Sequence, residues 1–174
     1  MKTDHPGTSD EARLKVGQIL NRILVDENML ATTTRDYYWN ATGPQSRNLR
    51  QQLGEQVKDI ERWLDEVAER AGTIGIGVQG NWLTLVKSTR SSAHPGIGLG
   101  ADKMLSELLA LHEELILQLR TDSDVCAQRL NDADTADVLT GLMKQHEMTA
   151  EKLRSELGGK PNRNPLISFN PSFV

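Results

Sequence analysis

Residues 36–70 read DYYWNATGPQSRNLRQQLGEQVKDIERWLDEVAER, and their apolar spacing decides the fold. Leu49, Leu53, Val57, Ile60, Leu64 and Val67 recur every three or four residues, and Ala71 extends the series. That period marks a helix with one buried face. Pro44 suits a first helical position, where its missing N–H would find no partner anyway. The spacing therefore predicts a helix over residues 44–71. Asp65 and Glu69 are four apart and share one face of it, and Glu61 extends the same stripe. Taken alone, this is a solvated acidic stripe with Arg62 and Arg70 beside it.

Outward from this segment the pattern repeats. A first helix is predicted over residues 9–39, with Leu14, Ile19, Leu20, Ile23, Leu24 and Leu30 on one side. Ser9 or Asp10 can cap it. A third is predicted over 101–128, with Leu105, Leu108, His112, Leu115 and Leu119 in line. A fourth is predicted over 134–157, carrying Leu139, Leu142, His146, Ala150, Leu153 and Leu157. Asp134 and Asp137 suit its start, and Gly158 and Gly159 its end. Residues 72–100 form a long connection rich in Gly, Ser and Pro. Unstructured loops of that length are uncommon in compact domains, so this one is expected to run along the bundle. Residues 81–87 inside it can form a short helix, with Trp82, Leu85 and Val86 turned inward. Two helical hairpins joined by one long crossover make an all-α four-helix bundle. It spans residues 9–157, between a tail over 1–8 and an extended tail over 158–174 whose Leu166, Ile167, Phe169 and Phe173 can dock on a subunit.

The chain has 174 residues, enough for one domain with a real core. Its net charge of −4 gives no bulk attraction to nucleic acid. One cysteine, Cys126, excludes an internal disulfide framework and suits a reducing compartment. No run approaches the roughly 18 apolar residues of a membrane span. The first residues lack the apolar core of a signal peptide, so a cytoplasmic protein is expected.

Several stretches resemble the Dps family, the mini-ferritins named as DNA-binding proteins from starved cells. Tyr38, Trp39, Asn40 and Gly43 match an aromatic-Trp-Asn-x-x-Gly motif, and Asp65, Glu69 and Arg70 match Asp-x-x-x-Glu-Arg. LNRILVDENML at 20–30 is similar to the family's first helix, and ADKMLSELLALHEELILQLR at 101–120 to its third. DADTADVLTGLMKQHEMTAEKLR at 132–154 is similar to its fourth. The resemblance covers residues 14–157. It implies a ferritin-like bundle, a hollow homododecamer, and iron storage with protection against oxidative stress.

The resemblance also implies where iron would be oxidised. Family members use two histidines of one subunit with an Asp and a Glu of its partner. Asp65 and Glu69 match the carboxylates, whereas Tyr38 and Arg50 stand at the two histidine positions. Imidazole suits iron and adds no charge. Arg50 has no lone pair and stays cationic, so it is not a ligand and would hold the carboxylates as its own partners. Tyr38 can pack as an aromatic spacer, or bind ferric iron as a phenolate. Losing both histidines argues for little or no ferroxidase activity, and leaves a cage, an altered Tyr/Asp/Glu site, or assembly with an active paralogue. Larger ferritin-like proteins hold two metals inside one bundle through Glu-x-x-His. None of the four histidines here has Glu three positions before it. His112 and His146 therefore read as core or interface residues.

Two further readings stay open. Asp122, Asp124, Asp132, Asp134 and Asp137 surround the last turn. By resemblance they could line threefold pores; by local chemistry they are caps and turn residues. Family members that bind DNA often do so through a lysine-rich tail. Here Lys2, Arg13 and Lys15 stand against Asp4, Asp10 and Glu11, and the other tail has only Lys160 and Arg163. DNA binding is expected to be weak or absent; a DNA-compacting structural protein without iron chemistry is the alternative, and the missing basic tail argues against it.

Overall fold

The computed structural model describes residues 9–44, 46–78 and 95–158. Four helices account for nearly all of them: α1 Asp10–Asn40, α2 Ser46–Thr73, α3 Ala101–Gln128 and α4 Ala133–Glu156. No strand occurs among the described residues. No helix among them is long and apolar enough to cross a membrane.

Ser9, not Asp10, caps α1: its Oγ accepts the Ala12 N–H at 3.1 Å. The buried face of α1 carries Val16, Leu20, Ile23, Leu24 and Leu30. Leu14 leaves the expected stripe and is exposed. The chain turns through Ala41–Pro44, where Gly43 adopts φ +95°, a left-handed conformation that favours glycine. Helix α2 starts at Ser46, so Pro44 sits in the turn ahead of it rather than in its first turn. Leu49, Leu53, Val57, Ile60, Val67 and Ala71 are buried as expected, while Leu64 is half-buried. Trp63 and Gln56 also turn inward.

Helix α4 starts one residue earlier than its acidic pattern suggested. Its cap is Asp132, whose side chain accepts the Thr135 N–H at 3.0 Å, rather than Asp134 or Asp137. Gly158, at φ +71°, ends it and donates to the Ser155 carbonyl at 3.1 Å.

Helix α1 packs on α2 and α3 on α4, with lighter contacts between α1 and α3 and between α2 and α4. Pairings such as Arg120 with Glu147 and Arg154 with Glu113 show that α3 and α4 run antiparallel. The described ends of the long connection lie far apart along α1. Its first residues are held at the start of α1, where Arg13 and Asn21 donate to the Ile74 and Gly77 carbonyls, both at 3.3 Å. Its last residues lie at the other end of α1, where the Gly96 N–H donates to Asp36 at 2.5 Å. Along the helix Asp36 lies about 35 Å from Arg13 and about 22 Å from Asn21 at about 1.5 Å per residue. Glycine is required at 96, since a Cβ there would meet Tyr37 Cδ1 at 2.9 Å and Asp36 Oδ2 at 3.0 Å. The short helix expected over 81–87, the tail over 1–8 and the tail beyond Gly158 lie outside the described residues.

The core is mostly aliphatic. Leu20, Leu53, Ile60, Leu108, Leu119, Leu139 and Leu153 are fully buried. Each contributes about 1.5–3 kcal/mol of transfer free energy.

Candidate functional site

Tyr38, Arg50, Asp65 and Glu69 do not meet within one subunit. Tyr38 ends α1 half-exposed, with its ring against Gly54 of α2. Arg50 donates from Nη2 to the Ala41 carbonyl at 2.7 Å. This places a cation on an unpaired carbonyl at the end of α1, where the helix dipole is negative. Asp65 and Glu69 are exposed on α2. Asp65 lies about 22 Å farther along that helix than Arg50 at about 1.5 Å per residue. A site combining these residues needs a second subunit. Glu61, on the same acidic stripe, is occupied by Arg35 of α1.

The five aspartates around the last turn divide into two groups. Asp122 is buried on α3 and accepts from Arg22 Nη2 of α1 at 2.6 Å. Asp132 is buried, caps α4, and accepts from Arg70 Nη2 at 2.8 Å, while Arg70 Nε donates to Thr135 Oγ1 at 2.8 Å. These two carboxylates bind the hairpins together. Asp124, Asp134 and Asp137 are exposed. Cys126 is buried beside this cluster. Burial, followed by Asp132 and Asp122, pushes its thiol up to about 12, so it stays protonated.

A group that the sequence reading missed lies at the centre of the bundle, with one residue from each helix. Glu27 of α1 contacts His146 of α4, Oε1 to Nε2, at 2.7 Å. His146 Nδ1 faces His112 Nδ1 of α3 at 2.8 Å. His112 Nε2 faces Gln56 Nε2 of α2 at 2.6 Å. Glu27, His112 and His146 are wholly buried and Gln56 nearly so. Burial, and then His146, holds the His112 imidazole well below the usual histidine range, so it is neutral. The Trp63 ring stands 4.8 Å from that of His146. Glu27 Oε2, Gln56 Oε1 and Trp63 Nε1 find no partner among the described residues. The signal for Glu27 and Gln56 was present: each is polar in the middle of an apolar stripe, Glu27 between Ile23, Leu24 and Leu30, and Gln56 between Leu53 and Ile60. His112 and His146, expected in the core or at an interface, are wholly buried inside the subunit.

A sequence model of the ferritin-like domain matches residues 17–160. The chain belongs to the ferritin-like family. It is 36% identical to an uncharacterized low temperature-induced protein of Nostoc sp., over 89% of this chain and 87% of that one. It is 27% identical to DNA protection during starvation protein 2 of Bacillus anthracis, over 82% and 97%. Among solved structures, the Dps of Vibrio cholerae O1 superposes with a TM-score of 0.83 at 21% identity, covering 90% of this chain and 98% of that one. The Dps of Thermosynechococcus elongatus gives a TM-score of 0.78 at 24% identity, over 84% and 92%. The resemblance to Dps proteins and the four-helix fold read from the sequence are borne out.

The ferritin-like family implies metal at the bundle centre, and the residues of this chain do not fit it. A metal needs several donors pointing at one spot. Here the donors form a line. His112 and His146 point their Nδ1 atoms at each other, with ring centroids 5.0 Å apart, and Gln56 and Glu27 take their far nitrogens. Glu27 is the one carboxylate of the group. Among the described residues no cluster of three or more His, Cys, Asp or Glu side chains is arranged to hold a metal ion.

Proposed function

We propose that this ferritin-like protein is the subunit of a Dps-like cage that sequesters iron and protects against oxidative stress, with a degenerate inter-subunit ferroxidase centre. The family match supports the cage, and what the resemblance implies about the site residues supports the degenerate centre. Asp65 and Glu69 keep the carboxylate half of the site, whereas Tyr38 and Arg50 occupy both imidazole positions. A permanent cation there repels ferrous iron and offers it no lone pair. Arg50 is anchored on the Ala41 carbonyl, so its charge sits at the subunit end that a partner's Asp65 and Glu69 would approach. Across that interface Arg50 would pair with those carboxylates. Iron is cargo in this reading, and its oxidation falls to an active paralogue in a mixed cage or to slow uncatalysed chemistry. Asp124, Asp134 and Asp137 are exposed and line a threefold entry in this reading. Asp122 and Asp132 support the pore walls through their arginines. The protein acts in the cytoplasm.

Assembly is the first test. Light scattering on the purified chain should return a mass about twelve times that of the subunit, as expected for closed symmetry. A stable monomer at micromolar concentration sinks the cage.

Affinity for DNA should be low. The chain is acidic overall, and its termini carry few cations. A gel-shift titration at about 150 mM salt, where the screening length is about 8 Å, should show no retained duplex. Tight retention there would reverse this part of the reading and favour a DNA-compacting protein.

A further inference from the structure

Hydrogen positions along the buried chain are tightly constrained. A neutral imidazole carries one N–H and one lone pair. Fixing the hydrogen on one of the three contacts therefore fixes it on the others. Two arrangements satisfy all three. In the first, Gln56 donates to His112, His112 to His146, and His146 to Glu27. Glu27 is then an anion at 0% exposure, accepting one hydrogen bond, with no cation in the chain and Oε2 unpartnered. In the second, every bond reverses. One added proton is shared between Glu27 Oε1 and His146 Nε2. His146 Nδ1–H donates to His112 Nδ1, and His112 Nε2–H donates to the Gln56 side-chain oxygen. This requires only that the amide be turned over, and amide oxygen and nitrogen are assigned from their hydrogen bonds.

The second arrangement is electrically neutral. It also satisfies Gln56 Oε1, one of the unpartnered atoms. Its cost is an unpaired amide N–H, which is small beside that of a lone charge removed from water. We propose that Glu27, His146, His112 and Gln56 form a proton-binding site that holds one proton per subunit and closes the bundle centre to metal. The groups facing this proton are Glu27 from α1, Gln56 and the Trp63 indole from α2, His112 from α3 and His146 from α4. The site goes beyond the iron reading and does not rest on it.

The consequence is a pH dependence of defined sign. Above pH about 6.5 the unfolded chain has neutral imidazoles and an ionised Glu27. The folded site keeps its proton, so unfolding releases it. Stability then falls as pH rises, and the growth of the unfolding constant per subunit approaches about tenfold per pH unit once the free imidazoles are fully neutral. Below about 6.5 the unfolded chain protonates both imidazoles while the folded site holds one proton, with His112 kept neutral by burial. The sign reverses there, and the site places a stability maximum near that pH. Cys126 and Tyr37 are also raised by burial in the folded chain. Their unfolded forms titrate near about 8.5 and about 10, so pH 7 to 8 reports mainly the buried proton-binding site.

The test is proton release on unfolding. The assembled full chain is unfolded by denaturant in weakly buffered solution at about pH 7.5, within the window above the free imidazole value, with an indicator dye. Wild type should release one more proton per subunit than Glu27→Gln, in which the carboxylate is gone and other groups cancel. No difference overturns the proposal. If Glu27→Gln fails to assemble, wild type decides alone. Its unfolding constant should rise about sixfold from pH 7 to pH 8, since free imidazoles are still partly protonated at pH 7, and a flat profile overturns the site. Cobalt(II) added to the intact protein should give no ligand-field band that depends on His146. A band abolished in His146→Gln would overturn the closure to metal.

Discussion

Ferrous iron added to the wild-type protein should be oxidised hardly faster than in buffer, and the double variant Tyr38→His/Arg50→His should oxidise it on the order of 100-fold faster. Even the hydrogen-bond partners that orient metal ligands are worth roughly 10–100-fold in affinity or activity, and this variant restores two direct ligands. Arg50→His alone should act more strongly than Tyr38→His alone, because it removes a repelling charge as well as adding a nitrogen donor. It also removes the hydrogen bond to the Ala41 carbonyl. Leaving a buried acceptor unpaired costs about 1–3 kcal/mol, so the variants should be compared at temperatures well below unfolding. Oxygen consumption and ferric absorbance are the measurements. Rapid wild-type turnover would refute the degenerate centre. A visible charge-transfer band lost in Tyr38→Phe would instead favour an altered site built on the phenolate with Asp65 and Glu69.

The largest stability loss from a single substitution at a helix end should come from Asp132→Ala. Asp132 caps α4 through the Thr135 N–H and also accepts from Arg70. Losing the cap costs about 0.5–2 kcal/mol. Arg70 and Asp132 have side chains only 15% and 8% exposed, so removal of the carboxylate strands a largely buried guanidinium. Breaking such a pair costs about 3–5 kcal/mol. Asp134 cannot replace it, since its carboxylate is 3.9 Å from Arg70 Nη1 and 86% exposed. The expected total is about 4 kcal/mol, because the two losses share one carboxylate and do not add fully. Asp132→Asn, which keeps an acceptor for the cap, should lose roughly half as much. Urea unfolding of the two variants beside wild type measures this. A loss under about 1 kcal/mol in Asp132→Ala, the range of an exposed ion pair, would show that the pair adds nothing to the hairpin contact.

Helices, their order and the crossover were legible from residue spacing alone. Leu49, Leu53, Val57 and Ile60 state a helical period within a dozen residues, and period is a property of the local chain. The bounds of α3 were read to the residue, because Gly100 and the residues after Gln128 interrupt a continuous pattern. The α4 cap was misplaced by two residues: three aspartates could each cap, and the choice of Asp132 depends on Arg70, 62 positions away. Leu14 shows the same limit, since an apolar residue on the right stripe lies past the end of the packed face. The candidate iron positions were found by motif, and spacing along α2 already forbids them from meeting in one subunit. The tertiary structure alone decided the centre of the bundle. Glu27 and His146 are 119 positions apart, and His112 and Gln56 are 56 apart. Each looked like an unexplained polar residue on its own helix. Local pattern records which face of a helix turns inward. Which buried polar atoms then face one another is set by the relative rotation and axial register of four helices, quantities that exist only once the bundle has packed.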